Sequence, residues 1–305
     1  MRITIDAGGG EVDGWVAALR HESRGEDIRL FESGKMAAIL GAPGLDFALR
    51  GTDVFHASSA TPTAPRRAKL TATIEDLSCW LMPELKNAAQ AKAAQNFAER
   101  ILQRAHGLIA VSESVRQHAI RLLGIEPQKI TTIYPGVAPE YFDARPAWRD
   151  RPYVLCAASA GEPRQNRDTL LAAWDRLPQE LRTQYDLIST AEVPSAGVAE
   201  FMAGATLFVY PSLYDGFALP VAQAMAAHVA VVTSDTSSMP EVGRDAAVIV
   251  DPHDSGQLAA GIARLLESES ERAKLARYGR ARAEKYRWEK CAAESLAFFH
   301  RVVGK

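Results

Sequence analysis

Asp215 and Gln223, with the residues between them, have the types and the spacing best suited to chemistry. The chain reads DGFALP from Asp215 to Pro220, between the apolar run Leu207–Tyr210 and a stretch of helical periodicity. At the start of a helix, backbone N–H groups and the positive end of the helix dipole favour an anion. Seven residues stand between Asp215 and Gln223, so both side chains could lie beside one bound molecule. This pattern predicts a site for a phosphorylated, hydroxyl-rich ligand.

The DGFALP segment lies in a strand–loop–helix–strand unit. Leu207–Tyr210 and Val229–Thr233 are short apolar runs, and the helix between them predicts a parallel crossover. Pro220 suits the first turn of that helix, because its missing N–H has no partner to lose there. A loop of this kind, at the carboxyl end of a parallel strand, is where ligands bind in open α/β sheets.

These residues resemble a signature of the retaining glycosyltransferases of the group-1 type, which have two Rossmann-like domains and use nucleotide-sugar donors. The family signature is a Glu, then Gly-Phe-Gly-Leu-Pro, then a second Glu in the helix. The resemblance implies that Asp215 contacts the donor sugar, that the backbone of the turn holds sugar hydroxyls and phosphate, and that Gln223 takes the ribose hydroxyls. The implied donor-binding residues are Gln165, Gly216, Phe217, Ala218, Leu219 and Gln223.

The resemblance extends along the chain, but two further positions are altered. The matching segments are Asp53–Ala57, Thr73–Ser78, Ile109–Glu113, Tyr134–Val137, Glu162–Asn166, Val250–Pro252 and Tyr286–Glu289. Glu75 stands where the family has a His, and Gln165 stands where it has a phosphate-binding Lys. Arg164 is adjacent and could supply the missing charge to a diphosphate leaving group. The implied catalytic residues are therefore Glu75, Arg164 and Asp215.

Several of these residues also have a structural interpretation. Asp215 could cap its own loop, and Gln223 could be a solvated helix residue. Glu75 could cap the turn that follows it, or it could face a ligand at the carboxyl end of a strand. The loop Ser234–Glu241 could help to hold the diphosphate or could be a hydrophilic connector. The sequence alone leaves these alternatives open.

Gly9, Gly10 and His56 are the candidates for the acceptor side. The glycines follow the first strand, but they do not complete a dinucleotide fingerprint, because Asp13 stands where a third Gly is needed. By resemblance, they let the backbone approach a donor or acceptor in a cleft between the domains. His56 ends another strand and could face the acceptor or be a satisfied structural residue. His228, where a Gly is usual, suggests a helix end with a positive φ.

Alternating strand and helix patterns predict an α/β fold with two Rossmann-like parallel sheets, and the resemblance implies that these domains face a cleft in the GT-B arrangement. The predicted strands are Arg2–Asp6, Ile28–Phe31, Asp53–His56, Leu70–Ile74, Gly107–Val111, Lys129–Ile133, Tyr153–Ala157, Tyr185–Ile188, Leu207–Tyr210, Val229–Thr233 and Ala246–Val250. The clearest predicted helices are Ala88–Ala105, Ser255–Leu266 and Ser270–Lys285.

The predicted domains meet at a linker rich in Pro, Ala and charge, Ala138–Pro152. Residues 1–140 are expected to form the acceptor side and residues 151–285 the donor side. By resemblance, a helix over residues 288–305 returns to complete the first domain.

Composition excludes several classes of protein. The chain has 305 residues, with 47% hydrophobic and 24% charged residues, which suits two ordinary globular domains. A formal net charge of −2 argues against a nucleic-acid binder. Three scattered cysteines favour free thiols in a reducing compartment, and no apolar run predicts a transmembrane segment. We therefore expect a cytoplasmic protein with no metal and no cofactor, which could form an oligomer.

The function that this pattern predicts is the transfer of a sugar from a nucleoside-diphosphate donor to an unknown acceptor, with retention of anomeric configuration. A non-catalytic relative that serves as a binding or partner module is the alternative, because the Lys, the His and both Glu residues of the family are altered together. A nicotinamide-dependent oxidoreductase rests only on the fold class and the broken glycine pattern.

Overall fold

The computed structural model describes residues 1–8, 13–33, 43–159 and 161–304. The chain divides into two compact units, one formed by Met1–Gly136 with Trp288–Lys305 and the other by Val137–Arg287. Gly9 and Gly10, the glycines predicted for the acceptor side, lie outside the described residues.

The first unit contains a six-stranded sheet in which every neighbouring pair of strands is parallel. Its strands are β1 (Arg2–Asp6), β2 (Asp27–Phe31), β3 (Val54–Ala57), β4 (Lys69–Ile74), β5 (Gly107–Ala110) and β6 (Ile130–Thr132). Their order is β2-β1-β3-β4-β5-β6, with Ile3 opposite Ile28 on one side and Val54 on the other. All residues of β3 and β5 are buried, as expected for a parallel sheet covered on both faces.

Local capping signals set the helix boundaries in this unit. The helices include α1 (Asp13–Glu22), α2 (Ser78–Leu81), α3 (Ala88–Arg100) and α4 (Glu113–Leu123). A capping box between Asn87 and Gln90 begins α3. Ser112 caps α4, which ends at Gly124 in the left-handed conformation, with φ of 63°. The helix predicted over Ala88–Ala105 ends at Arg100, and a short 3-10 turn follows.

The second unit has a five-stranded parallel sheet in the order β11-β10-β9-β7-β8. Its strands are β7 (Tyr153–Cys156), β8 (Asp186–Ser189), β9 (Leu207–Tyr210), β10 (Val231–Ser234) and β11 (Val248–Val250). All the predicted strands appear at overlapping positions, which confirms the α/β class. The largest shift is in β10, which begins after Val229 because Val229 N–H bonds to Ala224 O and the preceding His228 has φ of 63°. The positive φ suggested for His228 is thus confirmed.

Helices cover both faces of this second sheet. They are α5 (Pro139–Asp143), α6 (Arg167–Asp175), α7 (Gln179–Gln184), α8 (Val198–Gly204), α9 (Leu219–Ala226), α10 (Met239–Gly243), α11 (Ser255–Glu267) and α12 (Glu269–Ala283). Asp254 caps α11 by accepting from Gly256 N at 2.8 Å and Gln257 N at 3.0 Å, and Ser268 caps α12. The predicted helices Ser255–Leu266 and Ser270–Lys285 are confirmed within a few residues.

The last helix, α13 (Trp288–Val303), belongs to the first unit and packs against α1. Its first residue, Trp288, lies against Gly14 and Gly136. A second tryptophan, Trp15, donates from Nε1 to the Ser295 hydroxyl at 3.2 Å. Glycine is therefore used in this unit to admit an indole ring close to the backbone.

Candidate active site

The loop between β9 and α9, residues 211–218, carries most of the predicted site. We call it the 211–218 loop. It leaves the carboxyl edge of the second sheet and ends at Ala218, the residue before α9. Pro220 lies in the first turn of α9, as predicted. The sheet topology thus places DGFALP where a parallel α/β sheet presents ligand-binding loops.

Asp215 caps the 211–218 loop from within. Its Oδ1 accepts from the backbone N–H groups of Phe217, at 3.0 Å, and Ala218, at 2.9 Å. Its Oδ2 accepts from the hydroxyl of Tyr210, at 2.6 Å. The sequence predicted free N–H groups at this helix start. That prediction is wrong for these two groups, because the chain's own carboxylate already binds them.

The backbone of Ala218 is in the left-handed region, with φ of 57° and ψ of 47°. This region is unfavourable for a residue with a Cβ and is where glycine is usual. The positive φ therefore falls at the position that is Gly in the family signature and Ala here, and not at Gly216. Ala218 is fully buried, so its neighbours must hold this conformation in place.

Hydroxyl groups from the segment after β10 hold the 211–218 loop. Ser237 and Ser238 donate to the backbone oxygen of Asp215, at 2.6 Å and 2.8 Å. Thr236 donates to the backbone oxygens of Ser212, at 3.3 Å, and Leu213, at 3.1 Å. These three side chains bind protein carbonyl groups, which gives the predicted second loop, Ser234–Glu241, a structural task beside the predicted site.

Asn166 joins three loops at the same edge of the sheet. It follows a 3-10 turn, Pro163–Gln165, and adopts a left-handed conformation with φ of 60°. Its Nδ2 donates to the backbone oxygens of Pro211, at 3.0 Å, and Pro252, at 2.6 Å. The loops that follow β7, β9 and β11 are therefore held together by one side-chain amide.

Gln165 and Arg164 differ in what they can offer a ligand. The Oε1 of Gln165 accepts from the backbone N–H of Ser159, at 2.8 Å, and from its hydroxyl, at 3.1 Å. The backbone oxygen of Arg164 accepts from Leu213 N, at 2.8 Å, which places Arg164 beside the 211–218 loop. Its guanidinium Nε lies 3.9 Å from Glu162, and the side chain is partly exposed. Arg164 is thus the cation adjacent to the loop, while Gln165 is neutral and fixed internally.

Tyr210 is kept in its neutral form. Burial raises its pKa first, the charge of Asp215 raises it further, and the charge of Arg164 opposes these effects. The Arg164 charge is therefore close enough to act on the Tyr210 hydroxyl. A tyrosine held protonated in this way is a permanent hydrogen-bond donor to the carboxylate.

Phe217 and Gln223 complete the predicted donor-binding set. Phe217 is buried, and its ring packs edge-on against Tyr286 with the ring centres 5.2 Å apart, so its side chain belongs to the core. Any contact of Phe217 with a ligand must therefore come from its backbone. Gln223 lies in α9 and is partly exposed, so its side-chain amide is accessible, as the prediction requires.

His56 is a structural residue, which corrects its predicted place on the acceptor side. It is 5% exposed, and its two ring nitrogens pair with the hydroxyls of Thr71, at 3.0 Å, and Thr73, at 3.1 Å. Its ring also packs edge-on against Trp15 and Phe299. Burial lowers the pKa of His56 to about 3, partly opposed by the charge of Asp6. The ring is therefore neutral and has both nitrogens occupied.

Glu75 follows β4 at the carboxyl edge of the first sheet. Its side chain is exposed, yet desolvation by the surrounding protein raises its pKa, and the neighbouring charge of Asp76 raises it further. A carboxyl group with a raised pKa is a better proton carrier near neutral pH than an ordinary one. The structure thus leaves Glu75 accessible and electrostatically perturbed.

Asp6 is a residue that sequence reasoning missed. It ends β1 and is 1% exposed, and its Oδ1 accepts from Gly8 N, at 3.2 Å, and Ser33 N, at 3.1 Å. Its Oδ2 accepts from the hydroxyls of Ser33 and Thr61. Asp6 therefore joins the segments after β1, β2 and β3. The sequence signal that could have found Asp6 is an acidic residue at the end of a predicted strand, two positions before Gly8.

Comparison with known proteins identifies the family of this chain. Residues 186–282 match the family described as glycosyl transferases group 1, and residues 18–141 match glycosyltransferase family 4. The two matches fall on the second and the first unit. Both matches fit a glycosyltransferase of the group-1 type. Proteins with related sequences include O-antigen chain mannosyltransferase B of Escherichia coli, 29% identical over a 269-residue alignment that covers 76% of this chain and 70% of that protein.

Two more relatives of this glycosyltransferase are informative. The MMP alpha-(1->4)-mannosyltransferase of Mycolicibacterium hassiacum is 28% identical over a 234-residue alignment that covers 68% of this chain and 57% of that protein. Sucrose-phosphate synthase of Thermosynechococcus elongatus has the same fold, with a TM-score of 0.76, 16% identity, and coverage of 100% of this chain and 99% of the other. The GT-B fold inferred from the sequence is thereby confirmed.

In this glycosyltransferase, two altered signature positions carry internal contacts. Asp215 replaces a Glu and binds its own loop, and Gln165 replaces a Lys and binds Ser159. Within the described ranges, no three His, Cys, Asp or Glu side chains come together as metal ligands. Over the same ranges, no helix combines the length and apolarity that a bilayer crossing needs.

Proposed function

We propose that this glycosyltransferase moves a hexosyl group, and mannosyl in particular, from a nucleoside-diphosphate sugar to an acceptor hydroxyl, with retention of anomeric configuration. The names of its relatives support mannose as the sugar. The observation that carries the proposal is the 211–218 loop, which is fixed at the carboxyl edge of the second sheet with Arg164 beside it.

Arg164 is the group proposed to stabilise the departing diphosphate. Negative charge develops on that leaving group as the sugar becomes oxocarbenium-like, so a nearby cation acts mainly in the transition state. The Lys that the family uses is Gln165 here, which carries no charge and is held by Ser159. Arg164 is adjacent to Gln165, and its charge already acts on the Tyr210 hydroxyl.

The remaining predicted residues are proposed to bind and orient the substrates. The backbone from Gly216 to Leu219 is proposed to lie beside the sugar and phosphate, with the N–H groups of Phe217 and Ala218 held by Asp215. Gln223 is proposed to take the ribose hydroxyls. Asp215 is proposed to contact the sugar with a carboxylate that its own loop already orients, because a fixed acceptor loses less entropy on binding. Glu75, accessible and with a raised pKa, is proposed for the acceptor side.

The proposal is tested by binding and by turnover. A thermal-shift screen of UDP, GDP, ADP and their hexose conjugates should give a selective upward shift with one nucleotide. With the matching sugar nucleotide and simple glycoside acceptors, NMR should show a product of the same anomeric configuration as the donor. Arg164→Ala should abolish turnover, whereas Arg151→Ala, which removes an arginine paired with Asp186 at 2.9 Å elsewhere in the unit, should not.

A non-catalytic binding module is the second candidate, and the neutral, internally bonded Gln165 favours it. The two candidates differ in the same experiments. Selective nucleotide binding without transfer or donor hydrolysis, with Arg164→Ala affecting binding alone, would replace the catalytic proposal with this one.

A further inference from the structure

Tyr210 is a buried residue that connects the sheet to the 211–218 loop. It ends β9, is 3% exposed, and its hydroxyl donates to Oδ2 of Asp215 over 2.6 Å. A donor to a carboxylate makes a shorter and stronger hydrogen bond than a donor to a neutral oxygen. Tyr210, at the end of the central strand of this sheet, therefore holds the side chain of Asp215, which caps the loop.

We propose that Tyr210 is a positioning residue for donor binding, which acts through Asp215 to fix the backbone of Phe217 and Ala218. The proposal rests on the proposed function, because it assigns a task to Tyr210 only if this loop receives the donor. Tyr210 itself does not contact the donor.

The need for such a residue comes from Ala218. Its left-handed backbone, with φ of 57°, is not a conformation that alanine adopts unaided. The N–H groups of Ala218 and Phe217 point to Oδ1 of Asp215, so a fixed carboxylate stabilises this conformation. If the carboxylate turns away, the loop loses both bonds and the conformation is no longer favoured.

The other contacts of Asp215 do not replace Tyr210. Ser237 and Ser238 donate to the backbone oxygen of Asp215, so they hold its main chain and make no bond to its carboxylate. The hydroxyl of Tyr210 acts on the carboxylate itself. Because burial and the Asp215 charge both raise the pKa of Tyr210, the hydroxyl keeps its proton and remains a donor.

Tyr210→Phe is a clean test, since it removes one oxygen and leaves the ring. The ring of Tyr210 is near-parallel to that of Phe208, with centres 6.4 Å apart and planes at 18°, and phenylalanine can keep this packing. Tyr153→Phe is the matched control. Tyr153 is also buried in the second sheet, and its hydroxyl donates to Phe201 O at 2.7 Å, a bond with no connection to the 211–218 loop.

The first measurement needs no ligand. Amide hydrogen exchange at Phe217 and Ala218 should become at least about tenfold faster in Tyr210→Phe and stay unchanged in Tyr153→Phe. Equal exchange at these two amides in the wild type and Tyr210→Phe would overturn the proposal. This result is independent of whether the protein binds a nucleotide.

The second measurement is the affinity for UDP, GDP and ADP by titration calorimetry. Tyr210→Phe should weaken binding of the preferred nucleotide by about tenfold, Tyr153→Phe by less than about twofold, and adding Ala218→Gly to Tyr210→Phe should recover part of the loss. In turnover assays with the matching donor, KM should rise more than kcat falls. Unchanged affinity in Tyr210→Phe would overturn the inference, whereas a wild type that binds none of the three would contradict the proposed function and leave the exchange result to decide on Tyr210.

Discussion

Trp288 lies so close to Gly136 that a Cβ on this glycine would come within 2.1 Å of the indole ring. Gly136 is the last residue of the first unit's main segment, and Trp288 is the first residue of its returning helix. The indole therefore fixes the start of α13 against the end of the segment that the helix completes.

Gly136→Ala should destabilise the first unit strongly. The added methyl group would overlap the ring of Trp288, and overpacking of this kind typically costs about 1–3 kcal/mol or more. Gly197→Ala is the control, because no atom lies within 4 Å of the position its Cβ would take. Chemical denaturation should show a reduced free energy of unfolding for Gly136→Ala alone. Equal losses in the two variants would show that Trp288 moves aside.

Ala218→Gly should preserve or raise stability, against the usual effect of glycine. It relieves a left-handed alanine, which offsets the larger entropy of the unfolded chain, so we expect a change of about 0 to +1 kcal/mol. Ala222→Gly, a few residues later inside α9, should instead cost about 1 kcal/mol. Both values come from denaturant titration, and a similar loss in the two variants would mean that the φ of Ala218 carries no strain.

Gln165→Lys should not restore a simple phosphate-binding site. Lysine has no acceptor for the N–H and hydroxyl of Ser159, so two half-buried donors lose their partner, at a cost of about 1 kcal/mol. Gln165→Glu keeps the acceptor and should retain stability while it weakens nucleotide binding through charge repulsion. Thermal unfolding and calorimetry of the two variants separate these effects. A stable Gln165→Lys with faster transfer would show that the Ser159 contact is dispensable.

His56 should make folding stability depend on pH. Its pKa is about 3 in the folded protein and close to 6.5 when unfolded, so below the latter value the unfolded chain binds a proton that the folded chain refuses. The free energy of unfolding should therefore fall by about 1.4 kcal/mol per pH unit as pH decreases through this window. His56→Gln can still bond both threonines. Between about pH 7 and pH 5, the free energy of unfolding of this variant should fall by about 2 kcal/mol less than that of the wild type. If the two proteins lost the same free energy of unfolding over this pH range, His56 would bind a proton in the folded state as readily as in the unfolded state.

The strands and the main helices could be predicted because their signals are local. An apolar run followed by Pro211 marked β9, and helical patterns over Ser255–Leu266 and Ser270–Lys285 marked α11 and α12. The position of DGFALP at the sheet edge followed from the same pattern. These features depend on neighbouring residues, so the sequence contains them directly.

The contacts within the site could not be predicted, because they join residues that are distant in the chain. Asn166 bonds to Pro252, and Asp6 bonds to Thr61, pairs that only the sheet order brings together. The burial of His56 likewise depends on Trp15 and Phe299, from the two ends of the chain. Sequence could name a polar residue at a strand end, but it could not tell a ligand-facing group from a structural one.

The hydroxyls after β10 bind carbonyl oxygens of the 211–218 loop, and carbonyl oxygens are the same in every amino acid. Leu213 can therefore be exchanged during evolution at little cost to its bond from Thr236, whereas the buried Ser212 also donates its own hydroxyl to the backbone oxygens of Arg164 and Tyr214. Selection should act instead on Thr236, Ser237 and Ser238, whose side chains supply the donors. In homologues that keep this architecture, Thr236, Ser237 and Ser238 are therefore expected to vary little, while the half-buried Leu213 is free to change.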